Sequence, residues 1–320
     1  MKKNQAPGAL LGVAAGDAVG VPFEFRTRLE LSRYPAAGMS GFGSHMQHPG
    51  TWSDDSSLTF CLAESLVNGY DLRDMAERFV RWKNSAYWTA RNEVFDIGIT
   101  TSHALNRLKN LLDTEGSDEL RKLKNQGTDA ENGNGSLMRI LPLLWHIKGK
   151  DAAEQFELVR EVSALTHRHI RAAMACMIYL KMAEFLLTGR EKAACYADTR
   201  EVVLKLWDQS AFGLAEQTHF TRIIQNDISR LDEDQIKSGG YVVDSLEAAF
   251  WCFLRQDNYE RTVLAAVNLG LDTDTTAAIA GGMAGIYYGK EGIPADWLSA
   301  LARLEDITAL AEKLDAAYPD

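Results

Sequence analysis

Glycine recurs every fourth residue near the start of the chain, at Gly8, Gly12, Gly16 and Gly20. On an α-helix that spacing puts all four on one face as a bare stripe. Each glycine in a helix interior costs about 1 kcal/mol relative to alanine, so a run of four needs a compensating gain. Close approach of a second helix backbone supplies one. Ala280-Gly281-Gly282 with Gly285 makes a similar small-residue face late in the chain, and the two faces are expected to pack together in the middle of the fold. The other use of a bare face is room for a ligand at the end that carries Asp17 and Glu24.

The rest of the chain is patterned for helices. Apolar residues repeat at i, i+3, i+4 and i+7 over 8–18, 56–68, 71–83, 94–112, 152–166, 169–188, 191–207, 242–255, 258–269, 275–288 and 303–317. Strand-like alternation is almost absent. Asp71, Asp151 and Asp257 stand where N-caps are expected. Residues 20–52, rich in glycine and proline, read as a long functional or mobile loop. Residues 113–136 and 232–240 read as two further loops. With no linker and no internal repeat, one all-α domain over 1–320 is expected.

Partners are bounded by charge. The formal net charge of −10 argues against non-specific binding to nucleic acid or an anionic membrane, since both need a basic surface. An anionic substrate held through a metal stays open. Cys61, Cys176, Cys195 and Cys252 form no CxxC pair and sit in apolar or helical contexts. They read as reduced core thiols of a cytoplasmic protein. The apolar run from Ala9 to Val21 could mimic a signal sequence, but Asp17 interrupts it and Glu24 and Arg26 follow. Bounded by Pro7 and Pro22, it is too short to span a bilayer and reads as a buried helix.

Two acidic clusters carry the strongest chemical signal, Ser53-Asp54-Asp55 and Asp272-Thr273-Asp274-Thr275. Each precedes a helical run, so helix capping is the plain alternative. The flanking residues are apolar, however, and aspartates buried there would be costly unless paired or bound to metal. If folding brings the clusters together, four carboxylates face one another. They repel unless a cation lies between them. Oxygen donors without Cys or His suit a hard ion such as Mg²⁺, Mn²⁺ or Ca²⁺. Gly133-Asn134-Gly135-Ser136-Leu137-Met138-Arg139 reads as a glycine-rich turn entering a helix, whose N–H groups could receive a phosphate. An ordinary loop before a capped helix fits it equally. Thr166-His167-Arg168-His169 is either a surface helix start or the site of a substrate-contacting histidine.

In order and spacing these pieces resemble the ADP-ribosylglycohydrolase family, which includes the dinitrogenase reductase-activating glycohydrolases and the eukaryotic ADP-ribosyl hydrolases. The resemblance runs over nearly the whole chain: Gly8 through Glu24, Gly50-Thr-Trp-Ser53-Asp54-Asp55, Asp96-Ile-Gly98-Ile-Thr100-Thr101, Gly133 to Arg139, Thr166-His167, and Asp272-Thr-Asp274-Thr275 with its glycine-bearing helix.

The resemblance implies a compact, orthogonal multi-helix bundle with a two-metal centre. Its ligands would be Ser53, Asp54, Asp55, Asp272, Asp274 and Thr275, holding two Mg²⁺ or Mn²⁺ ions. The family often has Thr where this chain has Ser53; the hydroxyl is kept. Glu24, Asp55, Asp272 and Asp96 would be the catalytic group, and the sequence leaves open which carboxylate handles the proton. Gly133, Asn134, Gly135, Ser136 and His167 would cradle ADP-ribose. The implied reaction cleaves the bond between ADP-ribose and an acceptor, an arginine on a protein being expected. Free ADP-ribosylated small molecules or nucleotides are the alternative substrates, and a non-enzymatic ADP-ribose-binding relative the alternative role. A monomer is expected.

Overall fold

A computed structural model describes residues 5–114, 117–209 and 212–319. Its helices, in chain order, begin with α1 (Ala6–Gly20), α2 (Arg28–Arg33), α3 (Asp54–Val67), α4 (Leu72–Ser85), α5 (Ile99–Thr114) and α6 (Ser117–Lys122). Next come α7 (Leu143–Ile147), α8 (Ala152–Ala164), α9 (Ile170–Leu187), α10 (Lys192–Gln209) and α11 (Leu214–Gln217). The chain closes with α12 (Val242–Arg255), α13 (Tyr259–Asn268), α14 (Thr273–Tyr288), α15 (Ala295–Ala300) and α16 (Leu304–Ala317). Among the described residues there is no β-strand, only isolated bridges from Phe42 to Gln47 and from Gly133 to Tyr241. The fold is all-α.

The two glycine-bearing helices, α1 and α14, form the axis. A Cβ on Gly8, Gly12 or Gly16 would overlap the carbonyl of Gly285, Gly281 or Ala277, and one on Gly20 would overlap the backbone of Asp274. The stripe therefore lets α14 lie directly on α1 and sets its first turn against the last turn of α1. The Thr273 hydroxyl donates to the Gly20 carbonyl at 2.8 Å and locks that end. Around this pair pack α3, α9, α12, α13 and α16. One cluster of buried apolar side chains runs from Ala6 to Leu314. Ala6–Phe23, with mean hydropathy 1.3, is long and apolar enough to cross a bilayer, because Val21–Phe23 continues the helix as a 3-10 turn. It is 94% buried inside the protein, as the core helix expected. All four cysteines are free and buried.

Several local expectations shift. The helix expected over 94–112 begins only at Ile99. Asp96 holds φ at +55°, outside the right-handed region a helix needs. Asp96 therefore stands in the loop ahead of α5. Asp71 and Asp151 cap α4 and α8, but α13 is capped by Asn258, one residue after Asp257. The loop expected over 20–52 contains α2, and that over 113–136 contains α6, with residues 115 and 116 outside the described set. Met1 to Asn4 also lie outside it. No helix follows the Gly133–Arg139 turn until Leu143. Any anion at this turn would meet main-chain N–H groups rather than a helix end.

Candidate active site

Asp17 organises the first acidic cluster. It is the lone charge in α1 and is fully buried. Its carboxylate accepts from Ser53 N at 2.9 Å, Ser56 N at 3.0 Å and Ser56 Oγ at 2.5 Å. Burial pushes it up to about 6, against those hydrogen bonds. With the opening amides of α3 held by Asp17, and Ser53 Oγ accepting from Asp55 N at 3.2 Å, Asp54 and Asp55 are left with no capping task. Both side chains line a cleft of about 260 Å³.

The second cluster reaches the same cleft from α14. Asp272 occupies the N-cap position but makes no side-chain cap. Its Oδ2 accepts from Asn134 Nδ2 at 2.7 Å instead. Thr275 Oγ1 donates to Asp55 Oδ1 at 3.3 Å, joining clusters 220 residues apart in the chain. Glu24, just past the end of α1, brings a carboxylate oxygen to within 4.8 Å of both Asp272 and Asp274. The backbone beside it is bound to the second cluster as well. Phe25 N donates to Leu271 O, and Leu271 N to Arg26 O, each at 2.7 Å.

Burial raises Asp54, Asp55 and Asp274 well above the ordinary aspartate range, and like charges nearby add to the rise. Asp272 is also raised by burial, with the bonds from Asn134 and Thr275 opposing. Glu24 is pushed up to about 7 by burial, held back by its hydrogen bond to His45 Nε2. His45 in turn sits 3.8 Å from Asp96 Oδ1, and its pKa is raised chiefly by Glu24.

The opposite wall carries the glycine turn and His167. A Cβ on Gly135 would lie 2.6 Å from His167 Cε1, so only glycine allows the imidazole to come this close. His167 is buried, and desolvation with help from Arg139 and Arg107 drives its pKa down to about 3. The ring is neutral at physiological pH. Arg139 Nη2 donates to Thr166 Oγ1 at 2.8 Å. That hydroxyl is then free to donate to His167 Nδ1, 3.1 Å away, which leaves Nε2–H as a donor beside Gly133 and Gly135.

The fold thus brings Glu24, Asp54, Asp55, Asp96, Asp272, Thr275, Gly133, Asn134, Gly135 and His167 to one cleft. Three residues of the expected set stand apart. Ser53 Oγ serves as the cap of α3. Asp274 lies fully buried behind the cleft floor. Ser136 turns into the core, where its hydroxyl accepts from Ser163 Oγ at 2.9 Å and lies 3.6 Å from Cys176 Sγ. Its side chain is not part of the cleft wall. Thr101, Thr166 and Arg139 stand inside the motifs that carry the resemblance, with no role assigned to them there, and His45 was missed altogether. Nothing in the Gly43-Ser44-His45 turn has a period that could mark it. Asp17 did carry a signal, as a single carboxylate in an apolar helix.

A family model described as ADP-ribosylglycohydrolase matches residues 2–320. The chain belongs to the ADP-ribosylglycohydrolase family. It is 32% identical over 314 residues to ADP-ribosylarginine hydrolase Tri1 of Pseudomonas putida (strain GB-1), covering 97% of this chain and 78% of that one. It is 29% identical over 303 residues to the ADP-ribosyl-(dinitrogen reductase) glycohydrolase of Rhodospirillum rubrum, covering 93% and 90%. A solved structure described as an ADP-ribosylglycohydrolase-related protein complex superposes with a TM-score of 0.78 at 30% identity, over 99% of this chain and 98% of that one. As a member of the family the protein is an enzyme, an ADP-ribosyl glycohydrolase that breaks glycosidic bonds of ADP-ribose.

The donor set fits a hard divalent cation. Asp55 Oδ2 and Asp274 Oδ2 are buried with no hydrogen-bond donor, an arrangement a neighbouring positive charge would relieve. Glu24, Asp272 and Asp274 offer three carboxylate oxygens in mutual reach, and carboxylate oxygens are the donors such ions prefer.

Proposed function

We propose that the protein hydrolyses the N-glycosidic bond between ADP-ribose and an arginine side chain, with two Mg²⁺ or Mn²⁺ ions held among Ser53, Asp54, Asp55, Asp272, Asp274 and Thr275. The observation that carries this reading is the pair of unpartnered, buried carboxylate oxygens of Asp55, which lines the cleft, and of Asp274, behind its floor, across from the glycine turn and His167. Similarity to an ADP-ribosylarginine hydrolase supports arginine as the acceptor. When bound, such cations supply positive charge that polarises ribose hydroxyls and an attacking water.

The remaining steps belong to the chain's own groups. The main-chain N–H groups of Gly133 and Gly135 and the His167 Nε2–H face the ADP-ribose as donors, while Asn134 spends its own donors on Gly240 O, Ser245 Oγ and Asp272 Oδ2 and so ties the turn to the second cluster. Burial raises Glu24 and cations beside it would lower it again, so its candidacy as the group that takes a proton from water and returns it to the departing guanidine nitrogen rests on its position in the cleft within reach of Asp272 and Asp274. As water adds to C1″, the C1″–N bond breaks and its electron pair leaves with that nitrogen. The sugar passes through a state with positive charge on the ring, which the buried carboxylates stabilise. Asp96 lines the cleft 3.8 Å from His45 Nε2, and its carboxylate would accept two hydrogen bonds from the guanidinium. The free buried thiols support a cytoplasmic setting, and the negative net charge a protein that binds neither nucleic acid nor an anionic membrane; a monomer is the simplest form for it.

The test is hydrolysis of arginine-linked, serine-linked and free ADP-ribosyl substrates by wild type and Asp96→Asn. The expected result is turnover of the arginine linkage, reduced about 100-fold or more in the variant, with ADP-ribose binding unchanged. Preference for another linkage, or equal loss of turnover and binding, would contradict the assignment.

A further inference from the structure

Large apolar side chains stand in or next to the segments that build the cleft and face solvent. Phe25 is 67% exposed, Met46 71%, Ile99 78%, Phe42 49% and Leu271 46%. They are tied to one another through the site. Phe25 N donates to Leu271 O at 2.7 Å. The Phe25 ring lies 5.7 Å from that of His45, the residue before Met46. Phe42 N donates to Gln47 O at 2.5 Å and closes the turn that carries His45 and Met46. Ile99 lines the same cleft as Glu24 and Asp96.

Four of these five residues have left-handed backbone: Phe25 at φ +65°, Phe42 at +67°, Met46 at +55° and Leu271 at +64°. That region is disfavoured for side chains with a Cβ. Core packing does not explain it, since these side chains are not in the core. Strained residues that persist at a site point to function, and contiguous exposed apolar surface marks an interaction face.

We propose that these side chains form a docking surface for the folded protein that carries the modified arginine, an inference that rests on the arginine-linkage reading above. Phe25 follows Glu24 in the chain, Leu271 precedes Asp272, Met46 follows His45 and Ile99 lines the cleft itself, so these side chains are continuous with the site that receives the arginine. The carboxylates of Glu24 and Asp96 would meet the cationic arginine while the apolar side chains cover the partner surface beside it. A partner patch rich in carboxylates is disfavoured by a chain of net charge −10. A free ADP-ribosylated small molecule would fill the cleft and leave the apolar surface in water. That surface therefore selects protein substrates over small ones.

The experiment compares wild type with the double variant Phe42→Asn/Met46→Asn, chosen because asparagine tolerates left-handed backbone. Two substrates share one linkage: a folded protein mono-ADP-ribosylated on arginine, and free ADP-ribosyl-arginine. The variant is expected to raise KM for the protein about tenfold or more while kcat is unchanged and the small substrate is turned over as by wild type. That last readout also shows that the variant is folded. An unchanged KM for the protein, a parallel loss on both substrates, or a wild-type dimer that the variant dissociates would each overturn docking. If wild type hydrolyses neither substrate, the linkage reading itself fails and this inference falls with it.

Discussion

At the scale of single residues, the hydrogen-bond chain from Arg139 through Thr166 to His167 sets which imidazole nitrogen faces the cleft. Thr166→Val keeps the volume but removes the donor to Nδ1. The expected outcome is weaker ADP-ribose binding by about tenfold, with the stability midpoint little moved, read by calorimetric titration and thermal melting. His167 also predicts a pH effect. Its folded pKa of about 3 lies below the ordinary 6.5, so the unfolded chain binds the extra proton between those values. Stability contributed by the neutral ring is complete above pH 6.5 and is lost on acidification, by up to about 1.4 kcal/mol per pH unit. Denaturant melts of wild type and His167→Gln should diverge in slope between pH 6.5 and 4. Much of this layer was legible in the chain. The acidic clusters, Glu24, the glycine turn and His167 were marked by residue type and by their place in a recurrent order. His45 was not, because its role comes from tertiary proximity to Glu24 and Asp96. Ser136 was misplaced because a glycine-rich turn fixes where the main chain goes but not which way a following hydroxyl points.

At the scale of elements, the packing of α1 on α14 couples stability to the site. The stripe of four glycines ends where Gly20 meets the backbone of Asp274. A side chain anywhere on the stripe must push α14 away and with it Asp272, Asp274 and Thr275. Gly16→Ala is expected to cost about 1–3 kcal/mol by overpacking, although alanine is the better helix former. Loss of divalent-cation affinity should accompany it, since Ala277, which Gly16 touches, follows Thr275 by one turn or less. An exposed glycine-to-alanine control at Gly213, where nothing crowds the added carbon, should show neither effect. The helices themselves were readable because their apolar periods are long and regular. The start of α5 was not: residues 94–98 continue the apolar pattern, but the left-handed Asp96 breaks the helix for the sake of the cleft.

At the scale of the whole molecule, the fold gathers carboxylates that repel one another and hides them from water. Asp54, Asp55 and Asp274 all have folded pKa values above their ordinary 3.8. The folded state therefore holds protons that the unfolded state has released, and without a cation stability falls as pH rises above about 4. A divalent cation replaces those protons. Its stabilisation, about 2.7 kcal/mol at a hundredfold excess over Kd, should be larger at pH 8 than at pH 5, and thermal melts with Mg²⁺, Mn²⁺ or chelator at the two pH values check this. The fold class was legible because strand-like alternation is almost absent and the glycine faces call for two closely packed helices. The way distant loops converge on one cleft was not legible from periodicity, and came from the recurrent order of motifs.

The central claim is that the converged carboxylates are a metal-dependent hydrolytic site. The most direct test is release of ADP-ribose from arginine-ADP-ribosylated protein by wild type and Asp274→Asn, with Mg²⁺ or with chelator. Release is expected to need the cation and to be abolished in the variant, together with loss of the variant's cation-induced thermal stabilisation. Release that survives chelator, or a variant that retains both activity and stabilisation, would contradict it.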